Sequence, residues 1–117
     1  MGTDEEQSGQ QAAARWSVTT LRGNTVVRLG GEIDLAAVRG PTEGILGAVR
    51  QAVTGDALVV CDLSEVSYMD SSGFHLLVKL KQAVERENGR FVIARPSAQV
   101  RQLLRVVGVE DFFDIQE

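Results

Sequence analysis

The chain has 117 residues, of which 44% are hydrophobic and 24% charged, and its net charge at pH 7 is −4. This length fits one domain whose core needs no disulfides or metals. The acidic balance is the opposite of the basic surplus that nucleic-acid-binding proteins carry. No apolar stretch approaches the ~20 residues of a membrane span, and the N-terminus is too polar for a signal peptide. We therefore expect a cytoplasmic protein.

The first residues differ in composition from the rest of the chain. They include Asp4, Glu5 and Glu6, and no Lys or Arg occurs before Arg15. Bulky apolar side chains are scarce there, as in segments that cannot bury enough surface to fold. We expect a flexible acidic tail over residues 1–14 and one folded domain over residues 15–117.

The folded part begins with a predicted β-hairpin. Apolar and polar residues alternate from Trp16 to Leu21, which is the period of a strand. The turn dipeptide Gly23-Asn24 separates this run from a second β-rich run at residues 25–29. Two strands joined by so short a turn pair in antiparallel fashion.

Predicted helices and strands alternate after the hairpin. We expect a helical turn at 36–39, a helix from Pro41 to a cap at Gly55, helices at 72–87 and 97–108, and strands at 57–63, 91–94 and 112–115. The apolar run at 57–63 is unbroken, which is typical of a central strand covered on both faces. The order β-β-α-β-α-β-α-β predicts an α/β fold with a mixed, mostly parallel sheet of four to five strands and amphipathic helices.

Both later helices show apolar and polar faces. The polar stripe of the helix at 72–87 contains His75, Lys79, Gln82 and Arg86. The apolar positions of the last helix are Val100, Leu103, Leu104 and Val107. These faces predict which sides pack on the sheet and which remain at the surface.

The sequence contains few of the motifs that catalytic or metal sites require. The one histidine, His75, lies within reach of Ser71 and Ser72, but no G-x-S-x-G motif surrounds the serines. One Cys and one His supply no metal-ligand spacing, and no phosphate-binding loop is present. Cys61 lies in an apolar run, which favours a buried structural thiol. We expect no catalytic residues, no metal and no cofactor, and an interface role for His75.

Two interpretations of Asp70-Ser71-Ser72-Gly73 follow from local chemistry. In the first, Asp70, Ser71 or Ser72 simply caps the helix that follows. In the second, one serine is phosphorylated, because the amides and the dipole of a helix start tolerate a phosphate. Such a phosphate would add about −1.5 to −2 charges at pH 7 and alter a docking surface without unfolding the domain.

Three motifs resemble those of a known family. They are Gly-Glu-Ile-Asp-Leu at 31–35, Val-Val-Cys-Asp-Leu-Ser-Glu-Val at 59–66 and Met-Asp-Ser-Ser-Gly at 69–73. In this order, and with the predicted succession of strands and helices, they resemble a STAS domain of the single-domain bacterial anti-sigma factor antagonist type. The resemblance covers about residues 15–117.

The resemblance implies a partner-switching mechanism in transcription regulation, often under stress. An unphosphorylated antagonist binds an anti-sigma factor that is also a serine kinase, and thereby frees the sigma factor. The kinase phosphorylates the serine after the motif's Asp, here Ser71, and a metal-dependent serine phosphatase reverses this. ATP and Mg²⁺ bind to the kinase, so the resemblance implies no cofactor for this chain.

The resemblance also places the partner-binding surface. The implied residues, with the stripe positions near them, are Asp34, Asp70, Ser71, Ser72, Gly73, His75 and Lys79. Phe74-His75 and the segment 38–41 depart from the family pattern, which could change the kinase recognised. The alternative is a STAS subunit of a stressosome or a lipid-transport complex, with an unphosphorylated serine. In either case the sequence leaves undecided whether the protein forms a homodimer.

Overall fold

Six strands and three helices make up the described part of the protein. The structure is a computed structural model, and it describes residues 5–11, 14–21, 23–34, 41–53, 57–108 and 111–116. The elements in chain order are β1 (Glu5–Gln11), β2 (Ala14–Leu21), β3 (Asn24–Ile33), α1 (Pro41–Ala52), β4 (Leu58–Met69), α2 (Ser71–Arg86), β5 (Arg90–Ala94), α3 (Ala98–Val107) and β6 (Asp114–Gln116). The expected turn at 36–39 and the cap at Gly55 lie outside the described residues.

The strands form one mixed sheet in the order β1-β2-β3-β4-β5-β6. β2 pairs with β1 and β3 in antiparallel fashion, and β3 through β6 are parallel. The predicted hairpin and the mostly parallel α/β sheet are confirmed, with one strand more than the four to five expected. Gly23, in the hairpin turn, has a φ of +82°, a backbone conformation that glycine adopts without strain.

The additional strand, β1, lies in the segment expected as a flexible tail. Residues 5–11 pair with Ala14–Leu21, from Glu5 opposite Thr20 to Gln11 opposite Ala14. Strand pairing uses backbone groups, and the unpaired edge of β2 offers a row of them. A polar segment can therefore add to the sheet without supplying apolar side chains, which is why composition did not predict this strand.

One face of the sheet carries the main core. Val27, Cys61 and Ile93 lie side by side on neighbouring strands, and all three are buried. Buried side chains of all three helices belong to the same cluster, among them Val49, Leu77 and Leu104 on α1, α2 and α3 respectively. The burial of Cys61 confirms it as a structural thiol, and this cluster positions the helix starts at the sheet's edge.

The opposite face of β4 is less covered than the sequence predicted. Leu58 and Val60 are only half-buried, whereas Val59 and Leu63 on the core face are buried. The prediction of a strand covered on both faces was wrong, because the three helices contribute to one core cluster on one side. Val107 is likewise 45% exposed although its spacing placed it on the apolar face of α3, since it lies at the last residue of that helix.

Candidate functional site

The candidate site lies where β3 and β4 end and α2 begins. Ile33 is opposite Met69, the last residue of β4, and both side chains are buried. The next residues, Asp34 and Asp70, therefore leave neighbouring parallel strands at the same edge of the sheet. This register brings together two of the predicted site residues that are 36 positions apart in the sequence.

Asp70 caps helix α2. Its backbone is extended, with φ −109° and ψ −169°, and its Oδ1 accepts hydrogen bonds from the amides of Ser72 at 2.9 Å and Gly73 at 3.4 Å. The amide of Phe74 donates to the carbonyl oxygen of Asp70 at 3.1 Å and closes the first turn. Of the three residues that could have capped this helix, the carboxylate is the one that does so, which leaves both serine hydroxyls available for other contacts.

The two serines differ in their surroundings. Ser71 is the first residue of α2 and is exposed, whereas Ser72 is half-buried. Ser71 lies in the first turn, where backbone amides have no carbonyl partner inside the helix, and those of Ser72 and Gly73 donate to the carboxylate of Asp70 instead. A negative group added to Ser71 would lie at the positive end of the helix dipole.

Gly73 allows the helix to begin this close to the sheet. A Cβ atom on Gly73 would lie 2.5 Å from Cγ of Met69, 2.8 Å from the carbonyl oxygen of Ile33 and 3.1 Å from Cγ2 of Ile33. Real Cβ atoms do not approach other heavy atoms so closely, and a backbone oxygen cannot move aside easily. Any side chain at position 73 would thus push α2 away from β3 and β4.

The polar stripe of α2 continues from Ser71 along the helix surface. His75 and Lys79 follow Ser71 at intervals of four residues and are exposed, as are Gln82 and Arg86. The ring of His75 lies 5.8 Å from the ring of half-buried Phe74. Among the described residues, neither Ser71 nor Ser72 forms a hydrogen bond with His75. The described residues of the stripe therefore lack the serine–histidine hydrogen bond of an activated nucleophile.

Comparisons with known proteins identify the domain. A family model described as "STAS domain" matches residues 15–117. The chain belongs to the STAS-domain family. A curated relative from Staphylococcus aureus, the anti-sigma-B factor antagonist, is 33% identical over 91 residues, which cover 78% of this chain and 82% of the relative. The resemblance seen in the motifs is confirmed.

Solved STAS-domain structures share the fold. The domain is similar to an anti-sigma-factor antagonist (STAS) domain protein from Planctomyces limnophilus, with a TM-score of 0.76 and 20% identity over 87% of this chain and 89% of that one. It is also similar to the anti-sigma factor antagonist SpoIIAA in its unphosphorylated form, with a TM-score of 0.65 and 28% identity over 95% and 87% of the two chains. The phosphorylated form of Bacillus SpoIIAA matches with a TM-score of 0.60 and 27% identity over 95% and 90%.

This STAS domain has an ionic cluster in which two exposed arginines surround one buried carboxylate, Asp62, and the sequence did not predict it. Asp62 is only 4% exposed, and its Oδ1 accepts a hydrogen bond from the amide of Ser64 at 2.9 Å. Its Oδ2 is paired with Arg95 and lies 3.9 Å from Nε of Arg28. The signal in the sequence was an acid at the end of an apolar run, but Arg28 lies within β3 and Arg95 directly after β5, so neither could be assigned without the strand pairing.

The pKa values follow from these surroundings. Burial acts to raise the pKa of Asp62, but the hydrogen bonds from Ser64 and Arg95 and the charge of Arg95 outweigh it, and the pKa lies below its ordinary value. Burial, and secondarily the charge of Asp62, raise the pKa of the neighbouring Cys61 thiol far above its ordinary value. Cys61 is thus a protonated, inaccessible thiol, and Asp62 is an ionised structural group.

Two findings concern metal binding and membrane spans. Within the described ranges, no three His, Cys, Asp or Glu side chains come together as metal ligands would. No helix in that part of the chain is long and apolar enough to cross a membrane. What the site offers is a surface of hydroxyl, carboxylate, imidazole and ammonium groups at a rigid helix start.

Proposed function

We propose that this STAS-domain protein is an anti-sigma factor antagonist that phosphorylation of Ser71 switches off. The observation that carries the proposal is the exposed hydroxyl of Ser71 on the first residue of α2, beside an aspartate that already caps the helix. The relatives support the class of function: one is named an anti-sigma-B factor antagonist, and SpoIIAA has been solved in phosphorylated and unphosphorylated forms.

The unphosphorylated surface binds an anti-sigma factor that is itself a serine kinase. In this proposal Ser71, His75 and Lys79 present one exposed strip to that kinase, and Asp34 and Asp70 border it at the sheet's edge. Ser72 and Gly73 form the first turn, with Gly73 holding it against the sheet. Occupation of the kinase by this chain releases the sigma factor, and the kinase rather than this chain holds ATP and Mg²⁺.

Phosphorylation then ends the interaction through charge and bulk. A phosphate on Ser71 adds about −1.5 to −2 charges beside Asp70, at pH 7. The helix start tolerates this charge within the domain, because the helix dipole is positive there. A partner surface that fits a neutral hydroxyl meets a dianion instead, and the complex dissociates. A serine phosphatase restores the binding form, and the exchange takes place in the cytoplasm.

The test compares three variants in binding to the anti-sigma kinase encoded in the same genome. We expect Ser71→Ala to bind and to remain bound in the presence of ATP, and Ser71→Asp to fold but to bind at least about tenfold more weakly, as for a like-charge or desolvation penalty of a few kcal/mol. Ser72→Ala is the matched control and should still be phosphorylated, which mass spectrometry of the kinase reaction would show.

The alternative role, a STAS subunit of a stressosome or lipid-transport assembly, has its own outcome in this experiment. Undiminished kinase binding by Ser71→Asp, or phosphate found on Ser72 alone, would contradict the switch at Ser71. Assembly with other STAS proteins or with a transporter ATPase would then favour the alternative.

A further inference from the structure

A groove of about 290 Å³ lies between helices α1 and α2. Its buried apolar lining comes from Leu46 on α1 and Ala83 on α2. Its charged and polar lining consists of Glu43, Arg50, Lys79, Gln82 and Arg86. We call this surface the α1–α2 groove.

The charge of the α1–α2 groove is positive, although the whole protein carries a net charge of −4. Arg50, Lys79 and Arg86 line it with only Glu43 of opposite sign. Within the described ranges, none of the three cations forms an ion pair with another residue of the chain. Arg50 and Arg86 also lie in the last turns of their helices, where they complement the helix dipole. That explanation does not extend to Lys79, in the middle of α2.

The groove continues the surface proposed for kinase binding. Lys79 belongs both to the polar stripe that starts at Ser71 and to the lining of the groove. Eight residues of helix separate Ser71 from Lys79, which corresponds to about 12 Å at a rise of 1.5 Å per residue. A protein that covers the start of α2 over an ordinary interface of ~800 Å² per partner also reaches the groove.

We propose that the α1–α2 groove binds an acidic amphipathic segment of the anti-sigma kinase. The inference rests on the proposed function and adds a second contact to it. Carboxylates of such a segment would face Arg50, Lys79 and Arg86, and its apolar side chains would lie over the base of the groove, where only 5% of Leu46 and 6% of Ala83 is exposed. The concave shape and the acidic Glu43 among the lining cations favour a protein segment over a flat, uniformly charged lipid surface.

The division of roles is between recognition and switching. The groove's cations remain charged whether or not Ser71 is phosphorylated, so they attract the acidic segment in both states. Charged groups at an interface mainly raise association rates and select the partner. The groove thus selects the kinase, while the Ser71 end of the same helix decides whether the complex persists.

The test reverses the groove's charges one at a time. Arg50→Glu and Arg86→Glu are compared with Arg105→Glu, which makes the same change in the last turn of α3, away from the groove. All three positions are exposed, so each variant should fold, and each loses the same kind of dipole interaction. Affinity for the kinase is measured over a series of salt concentrations.

We expect Arg50→Glu and Arg86→Glu each to weaken kinase binding by about three- to tenfold and to reduce its salt dependence, as for charges at an interface rim. Arg105→Glu should leave both quantities unchanged. Equal effects of all three variants, with Ser71→Asp still preventing binding, would overturn the groove inference and leave the proposed function intact.

An experiment with a peptide distinguishes an error in the groove inference from an error in the proposed function. If the wild-type chain does not bind the kinase at all, the proposed function fails, and the groove is then tested with a synthetic amphipathic helix of Leu and Glu. Amide shifts at Leu46 and Ala83 that disappear when Lys replaces Glu in the peptide would support an acidic ligand. Absence of such shifts would overturn the proposal that the groove binds an acidic segment. Binding of the protein to phosphatidylglycerol vesicles but not to the peptide would also overturn it.

Discussion

The backbone amide of Asp70 donates a hydrogen bond to the carbonyl oxygen of Ile33, with an N···O distance of 3.4 Å. This bond extends the pairing of β3 and β4 by one residue beyond Met69. It fixes the helix cap relative to the neighbouring strand, and the tight packing of Gly73 against Ile33 does the same for the first turn. The candidate phosphorylation site, Ser71, lies in the sequence between Asp70 and Gly73, which are both fixed in this way.

Gly73→Ala should destabilise the domain. Its new methyl group would lie 2.8 Å from a backbone oxygen and 2.5 Å from Met69, so α2 must shift. We expect a loss of about 1–3 kcal/mol in the free energy of unfolding, which is typical of an overpacked position. Urea denaturation followed by circular dichroism measures it.

Gly47→Ala is the matched control for that substitution. Gly47 lies inside helix α1, and a Cβ atom there would meet no described heavy atom within 4 Å apart from its chain neighbours and the nearby backbone of its own helix. Alanine favours helices over glycine by about 0.5–1 kcal/mol, so this variant should be stabilised by about that amount. Equal effects of the two substitutions would contradict the steric role of Gly73.

Asp70→Ala should cost about 1 kcal/mol of stability, because it removes the acceptor for the amides of Ser72 and Gly73. Asp70→Asn should retain most of that stability, since asparagine also caps helices. Ser97→Ala removes the corresponding cap of α3, a 3.3 Å bond from the amide of Val100, and should cost a similar amount. If Asp70→Ala is as stable as the wild type in urea, Asp70 does not act as the cap.

Asp62 makes stability depend on pH in the acid range. Its pKa in the folded state is below its ordinary value of 3.8, so the unfolded chain binds the proton more tightly. The stabilisation is therefore complete above pH 3.8 and is lost as the pH falls through the lower, folded-state pKa. We expect Asp62→Asn to lose about 1–3 kcal/mol at neutral pH, as for a buried group that loses its charge-assisted hydrogen bonds.

The difference in unfolding free energy between the wild type and Asp62→Asn should shrink as the pH is lowered past 3.8. Glu65→Gln is the control, since it removes an exposed pair with Arg15 at 3.7 Å that contributes at most about 1 kcal/mol. A difference that stays constant from pH 7 to pH 3 would show that Asp62 acts by shape alone.

Cys61 should be unreactive in the native protein. Its side chain is fully buried, and its raised pKa keeps it protonated. Because the thiolate is the reactive form, we expect labelling by Ellman's reagent only as fast as the domain opens, and complete labelling in denaturant. Rapid labelling without denaturant would contradict the burial.

Local signals predicted much of the fold. Pro41 begins α1, Ser97 caps α3 with its hydroxyl, and Gly108 ends α3 with a φ of +72°. Each of these helix boundaries depends on a residue's own backbone preference or on a hydrogen bond within one turn. A short stretch of sequence is therefore enough to predict it. The exposed polar stripe of α2 followed from helical spacing in the same way.

Contacts between residues far apart in the sequence could not be predicted from such short stretches. β4 continues to Met69, and its register with β3 shifts twice on the way, between Arg28 and Gly30 and between Gly31 and Glu32. These shifts interrupt the alternation that would have marked a strand beyond Leu63. The cluster around Asp62 and the α1–α2 groove likewise join residues whose proximity exists only once the sheet is assembled. The boundary of the STAS domain at residue 15 and the residues of its partner surface remain predictions.

The second half of β4 has a strand neighbour on one side only. β5 pairs with Leu58–Asp62, and beyond that point α3 supplies bonds from the amide of Ser97 to Leu63 and from the side chain of Gln99 to Met69, each 3.3 Å long. The strand end is thus held from both sides before any partner arrives. A partner that docks against this strand end does not have to order it first, so the strand itself should add no coupled-folding contribution to the heat-capacity change of binding.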